Sequence, residues 1–372
     1  MRSAQLHAVE TLLERAMAEG IFPGAVLQVR QGGHVVHHHA YGWAQMLPRR
    51  RGMTPGAIFD LASLTKPVTA TAVLQLWAAG VLDIDRPVRD YLPAFGAAGK
   101  EAVTLRHLLT HTAGLPAWVR LYLHTRSARE AWDYICRQPA NGSPGERFEY
   151  SDLGYVVLGE VVARIGGMPL DRYVARCIAP VLGWRWTRFR PPLRWRGRCV
   201  ATEAGNEYER RVAGAEGEGF AWRNGVIVGQ VHDGNCHYTF GGVAGHAGLF
   251  GPADEVAVLG QAMLHGGWAP GGRLLDEGVA AEAVRDQIGS RLGTGMGLGW
   301  RCRLGADWMG ERASPRAFGH TGFTGTSLLV EPQRALVVVL LTNRVHPRAP
   351  ADATAIDALR RAVHDAVLEA LG

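Results

Sequence analysis

The feature that most constrains the fold is the presence of β-like segments at both ends of the chain, separated by a long helical stretch. Five such runs lie at residues 24–30, 34–41, 317–319, 326–331 and 335–342. The first two flank a Gly32-Gly33 pair that predicts a hairpin, and the last three are rich in β-branched residues. Amphipathic helices are predicted at residues 1–19 and 353–371. The sequence therefore predicts an α/β (α+β) fold in which both termini build one antiparallel sheet flanked by helices.

The middle of the chain consists of helical patches separated by glycine- and proline-rich loops. The clearest helix begins at Ser63 and ends at Gly80, and its apolar residues occur on most sides, which predicts a buried helix. We expect a sheet lobe formed by residues 1–60 and 291–372 and an inserted all-helical lobe formed by residues 61–290. A functional site is expected in the cleft between the lobes.

Lysine is rare in this chain, and one of the two lysines stands where a nucleophile can use it. Of forty Lys and Arg residues, only Lys66 and Lys100 are lysines. Lys66 follows Ser63 by three residues, and eight serines and two lysines give about 0.04 such pairs by chance. Arginine keeps its proton in proteins, whereas burial can bring the pKa of a lysine toward neutrality. The pair therefore indicates nucleophilic chemistry rather than an incidental surface lysine.

A serine at the start of a buried helix is well placed for acyl transfer. Free backbone N–H groups and the positive end of the helix dipole stabilise an oxyanion that forms there. Lys66 projects from the same helical face as Ser63, within reach of its hydroxyl. Because burial disfavours the ammonium form, the amine of Lys66 can serve as a base.

Three short motifs occur in the order found in a known group of serine hydrolases. They are Ser63-Leu64-Thr65-Lys66, Tyr150-Ser151-Asp152 and His320-Thr321-Gly322. They resemble the serine-x-x-lysine, tyrosine-x-asparagine and lysine-threonine-glycine motifs of the class C β-lactamases and their DD-peptidase and esterase relatives, a penicillin-recognising family. Further segments that resemble the family are residues 105–116, 245–250 and 341–344. The resemblance covers nearly the whole chain and implies a β-lactamase/transpeptidase-like fold.

The resemblance implies a role for each matching residue. Ser63 would be the nucleophile that forms an acyl-enzyme, and Lys66 and Tyr150 would move its proton to the leaving group. Either a neutral lysine or a tyrosinate stabilised by the Lys66 ammonium can be the base, and both alternatives stay open. The N–H groups of Ser63 and Phe323 would form the oxyanion hole. The residues that would contact the substrate are Asp152, His320, Thr321, Gly322, Phe323 and Arg344.

Two motif positions depart from the family pattern. Asp152 replaces an asparagine. A carboxylate at this position can keep Lys66 charged, which favours the tyrosinate form of Tyr150 as the base. It lacks, however, the amide N–H donor that can bind a substrate carbonyl. His320 replaces a lysine, and an imidazole with a reference pKa of about 6.5 is largely neutral at physiological pH. The charge that receives a β-lactam carboxylate is thereby weakened, and Arg344 is a candidate replacement. We expect the site to prefer neutral esters or amides over β-lactams.

Composition narrows the remaining functional classes. No apolar run approaches the ~18 residues of a membrane span, and the absence of an apolar secretion core predicts a cytoplasmic protein, or a periplasmic one if a leader has been removed. Five cysteines without CxxC spacing indicate neither a disulfide framework nor a zinc site. The net charge of +6 comes from arginine, most densely at residues 184–198 among tryptophans. That segment is interpreted as a solvated loop rather than a nucleic-acid surface.

The resemblance implies a serine hydrolase that uses no metal or cofactor and acts on a small ester, amide or β-lactam substrate. An esterase or broad ester and amide hydrolase is the leading expectation, with a β-lactamase or D-amino-acid peptidase as alternatives. A sensor or penicillin-binding protein acylated at Ser63 without turnover also fits, since deacylation needs a placed water and base. Residues 231–235 resemble a loop of some DD-peptidase-like proteins and form either a cleft wall or a simple turn.

Overall fold

The computed structural model describes residues 6–372, so the first five residues of the predicted N-terminal helix lie outside the described part. The strands are β1 Gly24–Gln31, β2 His34–Gln45, β3 Arg51–Gly52, β4 Phe59–Asp60, β5 Arg188–Phe189, β6 Ala201–Ala204, β7 Val226–Val228, β8 Leu249–Gly251, β9 Trp268–Ala269, β10 Gly272–Arg273, β11 Arg301–Cys302, β12 Phe318–Thr321, β13 Ser327–Glu331 and β14 Leu336–Thr342. The α-helices are α1 His7–Ala18, α2 Thr65–Ala78, α3 Leu105–Leu109, α4 Leu121–His124, α5 Ala128–Arg137, α6 Asp152–Ile165, α7 Leu170–Tyr173, α8 Ala179–Leu182, α9 Glu207–Ala213, α10 Ala253–Leu264, α11 Glu277–Val284, α12 Gly289–Leu292 and α13 Thr354–Leu371.

Within residues 6–372 no single helix is long and apolar enough to cross a membrane. One bent pair of helical segments, α6 and Leu170–Leu182, is long and apolar enough by length and composition alone.

A seven-stranded antiparallel sheet joins the two ends of the chain. Its strand order is β11-β12-β13-β14-β1-β2-β3, so the N-terminal strand β1 lies beside the C-terminal strand β14. Strands β1 and β2 form the predicted hairpin, and Gly32 and Gly33 at its turn both have positive φ, which glycine adopts without steric cost. The predicted α/β fold with a sheet from both termini is confirmed.

The central strands are apolar on both faces because each face is covered by helices. Side chains alternate between the faces along a strand. On one face Leu27 and Val338 join a core with residues of α1 and α13. On the other face Val26 and Val339 join a larger core with residues of α2, α6 and α10. The sheet is thus enclosed between the terminal helices and the inserted segment.

The inserted segment is mainly helical and also carries short strands, which corrects the expectation of an all-helical lobe. Strands β8 and β5 of this segment form a three-stranded sheet with β4, which lies just before it, and β6 pairs with β7 and β9 with β10. Short ladders of this kind satisfy backbone groups of the loops between helices. Helix α10 belongs to residues 61–290 by sequence, yet it packs against β1, β13 and β14. The division into lobes at residues 60 and 291 stays a prediction.

Helix α2 carries the Ser63 segment into the core. Ser63 lies in a single 3₁₀ turn, Ala62–Leu64, directly before the first residue of α2. Buried residues occur on all sides of α2, and Gly80, with a φ of +68°, follows its last turn. The predicted buried helix is confirmed, with its α-helical part beginning two residues after the serine.

The arginine- and tryptophan-rich segment folds onto itself. The Trp186 and Trp195 rings lie 4.8 Å apart. The guanidinium of Arg198 lies 4.2 Å from the centre of the Trp186 ring, and that of Arg188 lies 5.6 Å from the Trp195 ring. Aromatic faces that would stack on bases are therefore covered by the segment's own arginines. These contacts favour the interpretation as a folded loop.

Candidate active site

The first motif forms a chain of polar contacts at the start of α2. Lys66 Nζ donates a hydrogen bond to Ser63 Oγ at 2.9 Å. The same nitrogen lies 2.7 Å from Asp152 Oδ1 in an ion pair and 3.3 Å from the backbone oxygen of His246, to which it also donates. Lys66 is fully buried. The serine hydroxyl, the lysine and the aspartate of two sequence motifs are therefore brought together.

Lys66 is held in its charged form. Burial lowers the pKa of its ammonium, but Asp152 and Tyr150 more than offset this effect and raise the pKa above the ordinary lysine value. The Tyr150 ring centre lies 4.8 Å from Lys66 Nζ. A charged lysine cannot accept the serine proton, so this arrangement favours the tyrosinate alternative over a neutral lysine base.

The second motif is positioned by the start of α6 and by a histidine that the sequence analysis did not single out. Ser151 caps α6, since its Oγ accepts a hydrogen bond from the Gly154 N–H at 3.2 Å. The Ser151 N–H donates to His111 Nδ1 at 2.9 Å, and the His111 ring lies 4.4 Å from the Tyr150 ring. His111 is therefore a support for Tyr150, and it lies inside the familial segment 105–116.

The third motif lies at the end of β12, and its histidine is buried and neutral. His320 is only 1% exposed, and its Nδ1–H donates to the Thr321 carbonyl at 2.8 Å. Burial and the neighbouring Lys66 lower the pKa of His320 well below its usual value. The His320 ring lies 6.1 Å from the Tyr150 ring. The imidazole thus faces Tyr150 and offers no permanent charge to a substrate.

The loop after β12 brings Phe323 to the cavity that Ser63 lines, and two buried arginines hold that loop. Arg360 Nη2 donates to the carbonyl of Gly322 at 2.9 Å. Arg344 Nε donates to the Phe323 carbonyl at 2.8 Å, and its Nη1 donates to the Asp352 carbonyl at the same distance. Arg344 is 5% exposed. These contacts favour a role for Arg344 in positioning Phe323 over a role in binding a substrate carboxylate.

Two backbone donors remain free beside the nucleophile. Within residues 6–372, neither the Ser63 N–H nor the Phe323 N–H donates a hydrogen bond to another group of the protein. Ser63 occupies the N-terminal turn before α2, where N–H groups have no intrahelical partner. Both residues line the same cavity. The pair is therefore available to an oxyanion formed at Ser63.

A cavity of about 280 Å³ opens in front of Ser63, and two loops supply its far wall. Residues 231–233 line this cavity, so the cleft-wall alternative for the segment 231–235 is confirmed. His246 lines it as well, and its Nε2–H donates to Asp233 Oδ1 at 2.9 Å. The sequence analysis noted both segments as familial but assigned no role to Asp233 or His246, because their pairing arises only in the folded chain.

Comparisons with known proteins agree with this geometry. The Beta-lactamase family model matches residues 9–361. An N-acetylmuramyl-L-alanine amidase of Bacillus subtilis is 33% identical over 373 residues, which cover 92% of this chain and 81% of that protein. A Salmonella schwarzengrund protein, provisionally named a D-alanyl-D-alanine carboxypeptidase, is 33% identical over 367 residues, with 92% and 84% coverage.

Solved structures share the fold over the whole length of the chain. EstCE1, described as a hydrolase with promiscuous acyltransferase activity, superposes with a TM-score of 0.77 at 23% identity and covers 99% of both chains. A family VIII carboxylesterase has a TM-score of 0.72 at 21% identity, covering 99% of this chain and 98% of its own. The family model spans nearly all of the sequence, and the chain therefore belongs to the β-lactamase family of serine hydrolases.

Proposed function

We propose that the protein is an esterase or amidase that cleaves small acyl substrates through an acyl-enzyme on Ser63. The observation that carries this proposal is the contact chain from Ser63 Oγ to Lys66 Nζ at 2.9 Å and on to Asp152 at 2.7 Å. Ser63 lines a cavity of about 280 Å³, and the Tyr150 ring lies 4.8 Å from Lys66 Nζ, which supports roles for both residues in acyl transfer.

The acylation step follows from these positions. Ser63 Oγ attacks the acyl carbon while Tyr150, beside the Lys66 ammonium, acts as the base that takes the hydroxyl proton. The N–H groups of Ser63 and Phe323 stabilise the charged oxygen of the tetrahedral intermediate. The intermediate collapses when the bond to the leaving group breaks, and Tyr150 delivers its proton to the departing alcohol or amine.

Deacylation repeats the same transfers with water as the nucleophile. Tyr150 takes a proton from the water that attacks the acyl carbon, and the ester bond to Ser63 Oγ then breaks. The proton returns from Tyr150 to Ser63 Oγ, and the free acid leaves the cavity. Turnover of this kind separates an enzyme from a sensor protein that stops at the acyl-enzyme.

The charges around the cavity support a preference for neutral esters or amides over β-lactams. His320 is buried and neutral, and Arg344 is engaged with the Phe323 and Asp352 carbonyls. Neither residue supplies a free cation for the carboxylate that a β-lactam carries. The cytoplasmic location and the absence of a nucleic-acid partner expected from the sequence stay predictions.

A second candidate function, cleavage of D-amino-acid peptides or β-lactams, is favoured by a different observation. An open cavity of about 500 Å³ is lined by Thr321 of the third motif together with Arg301 and Arg361. A guanidinium beside this motif can receive a carboxylate at the end of a peptide. The relative provisionally named a D-alanyl-D-alanine carboxypeptidase agrees with this alternative.

The deciding experiment compares three substrates over time: a short-chain nitrophenyl ester, a chromogenic cephalosporin and the dipeptide D-alanyl-D-alanine. We expect sustained ester turnover, with the ester kcat/KM at least about 100-fold above that for the cephalosporin, and loss of at least about 10³-fold in kcat for Ser63→Ala. Ser290→Ala, which changes an exposed serine, serves as the matched control and should retain wild-type rates.

Each contrary result has a definite meaning. A single burst without turnover would assign the protein to the acylated sensor class. Faster cleavage of the cephalosporin or the dipeptide would select the second candidate. Ester turnover that survives Ser63→Ala would remove Ser63 as the nucleophile and overturn the proposal.

A further inference from the structure

The cavity beside Ser63 combines acidic and aromatic walls. Its carboxyl-bearing lining residues are Asp60, Asp152, Glu209 and Asp233. Its aromatic lining residues are Trp118, Tyr208 and Phe323, and the last two rings lie 4.8 Å apart. No arginine lines it within the described part of the chain. The Tyr208 ring is covered by Arg211 and the Phe323 ring by Arg344. The carboxyl groups of the lining favour a cationic over an anionic substrate.

Two of the four carboxyl groups, those of Asp60 and Glu209, stabilise the cavity wall through hydrogen bonds. Asp60 accepts hydrogen bonds from the N–H groups of Ala62 at 3.0 Å and His232 at 2.7 Å. Glu209 accepts from the Tyr122 hydroxyl at 2.7 Å and from the Gly234 N–H at 2.8 Å. Burial raises the pKa of both carboxyl groups. Their oxygens are thus engaged, and they do not compete for a ligand.

Asp152 and Asp233 are the carboxyl groups of the lining that remain partly exposed. Burial opposes ionisation of Asp233, but His246 and the Cys236 N–H lower its pKa to about 2. Each of the two side chains is 22% exposed. In Asp233, Oδ1 accepts from His246 Nε2 at 2.9 Å and from the Cys236 N–H at 2.7 Å, and Oδ2 has no hydrogen bond with any of the described residues.

The two carboxylates lie close enough to repel each other. One ligand atom from each of Asp152, Asp233 and His246 lies within 4.8 Å of the other two. Lys66 contacts Asp152 but not Asp233, whose Oδ1 is held by His246 at 2.9 Å. His246 is 1% exposed, lines the cavity, and its Nδ1 has no partner among residues 6–372. A ligand ammonium would supply N–H donors to Asp233 Oδ2, which has no hydrogen bond with any of the described residues.

We propose that the substrate carries an ammonium group on its acyl part, as in an aminoacyl ester or amide. The ammonium lies between Asp152 and Asp233 and beside Trp118, while the acyl carbon lies at Ser63. This inference rests on the proposed acyl-enzyme function and assigns its substrate class. The reaction is the same one, and it releases a free amino acid and the alcohol or amine.

The test compares alanine ethyl ester, in both enantiomers, with the matching N-acetylalanine ethyl esters, which have the same scissile bond without the charge. Acid release is followed at about pH 6.5, where the free amine of the ester is largely protonated. We expect kcat/KM for the ammonium ester of at least one enantiomer to exceed that for its acetylated form by about 10-fold or more. High salt should reduce this preference, because it screens the attraction to Asp233.

Substitution of Asp233 by asparagine removes the negative charge of this side chain and keeps its shape. In Asp233→Asn the ratio of the two kcat/KM values should fall about 10-fold, while Asp133→Asn, on the exposed side of α5, should keep the wild-type ratio. Inhibition of the wild-type protein provides a readout that is independent of any folding defect. Propylammonium should inhibit hydrolysis of a neutral nitrophenyl ester at lower concentration than propanol does.

The failure of this inference is distinguishable from failure of the proposed function. If nitrophenyl ester turnover requires Ser63 but acetylated alanine esters are cleaved as well as the free amines, only the ammonium site is overturned. Equal inhibition by propylammonium and propanol has the same meaning. Activity that is lost on chelation and restored by a divalent ion would show that Asp152, Asp233 and His246 hold a metal instead, and would also overturn it.

Discussion

Asp152 stands where the family motif has asparagine, and it forms an ion pair with Lys66 at 2.7 Å. Burial lowers the pKa of Lys66, but the charge of Asp152 helps to raise it above the ordinary lysine value. In Asp152→Asn this charge is gone, so Lys66 should lose its proton at a lower pH. We expect the alkaline limb of the kcat/KM profile for a neutral ester to move down by about one pH unit. The measurement is the pH dependence of nitrophenyl ester hydrolysis.

The matched control for this change is Asp171→Asn, because Asp171 pairs with Arg190 far from Ser63 along the chain. Its alkaline limb should coincide with that of the wild type. If the limb of Asp152→Asn also stays in place, Asp152 does not set the charge state of Lys66 and the tyrosinate mechanism loses its support.

The sequence predicts the positions of some site residues and not of others. Ser63 and Lys66 are predicted because three residues of helix bring both side chains to one face. Arg344 is different: its guanidinium points to the Phe323 and Asp352 carbonyls, and no local pattern encodes the position of those distant oxygens. The Asp233–His246 pair also depends on two loops that meet only in the folded chain.

At the scale of elements, α6 and the loop around Gly245 approach each other so closely that no side chain fits between them. A Cβ on Gly245 would lie 1.9 Å from the Tyr155 carbonyl oxygen and 3.0 Å from the Gly159 nitrogen. The same loop supplies the Gly245 carbonyl to Thr69 Oγ1 at 2.8 Å and the His246 carbonyl to Lys66 at 3.3 Å. The close approach therefore sets the position of the loop that contacts Lys66.

Gly245→Ala should force this loop away from α6. We expect the free energy of unfolding to fall by about 1–3 kcal/mol and kcat/KM to fall with it, because the displaced loop loses its contacts with α2. Urea unfolding and ester hydrolysis are the two measurements. The control is Gly278→Ala in α11, where a Cβ meets nothing within 4 Å and a helix gains stability by up to about 1 kcal/mol. Equal stability of the two variants would contradict the close contact.

Regular elements were predictable where one periodicity repeats over many residues. The β1–β2 hairpin, helix α2 and helix α13 all lie within a few residues of their predicted positions. The short strands β5 to β10 were not predicted, because a strand of two to four residues is defined by its partner rather than by its own pattern. Strand β8, for instance, pairs with β4 from a distant part of the sequence.

At the scale of the whole molecule, several histidines are buried as neutral rings in both cores and around the active site. Burial lowers the pKa of His364 to about 4, and the pKa values of His111 and His320 lie well below the usual range for the same reason. His364 lies in the helix α13, and its Nδ1–H donates to the Trp308 carbonyl at 2.8 Å. Protonation of these rings is linked to unfolding.

The sign of this linkage is fixed by the lowered pKa values. Below about pH 6.5 the unfolded chain binds protons at these histidines before the folded chain does, so stability is lost as the pH falls. For His364 this window extends to about pH 4. His364 alone accounts for about 3 kcal/mol over the window. We expect the free energy of unfolding, measured by urea denaturation at a series of pH values, to fall steeply below about pH 6.5.

The contribution of one histidine is isolated by His364→Asn, which keeps an N–H donor near the Trp308 carbonyl and removes the titrating ring. The absolute stability of this variant can fall, because a smaller side chain leaves a cavity in the core under α13. Its stability should nevertheless decline less steeply between pH 6.5 and pH 4 than that of the wild type, by about 3 kcal/mol over the whole window. His265→Asn, at an exposed position after α10, should keep the wild-type slope. Parallel curves for His364→Asn and the wild type would show that the ring takes up its proton without unfolding the core around it.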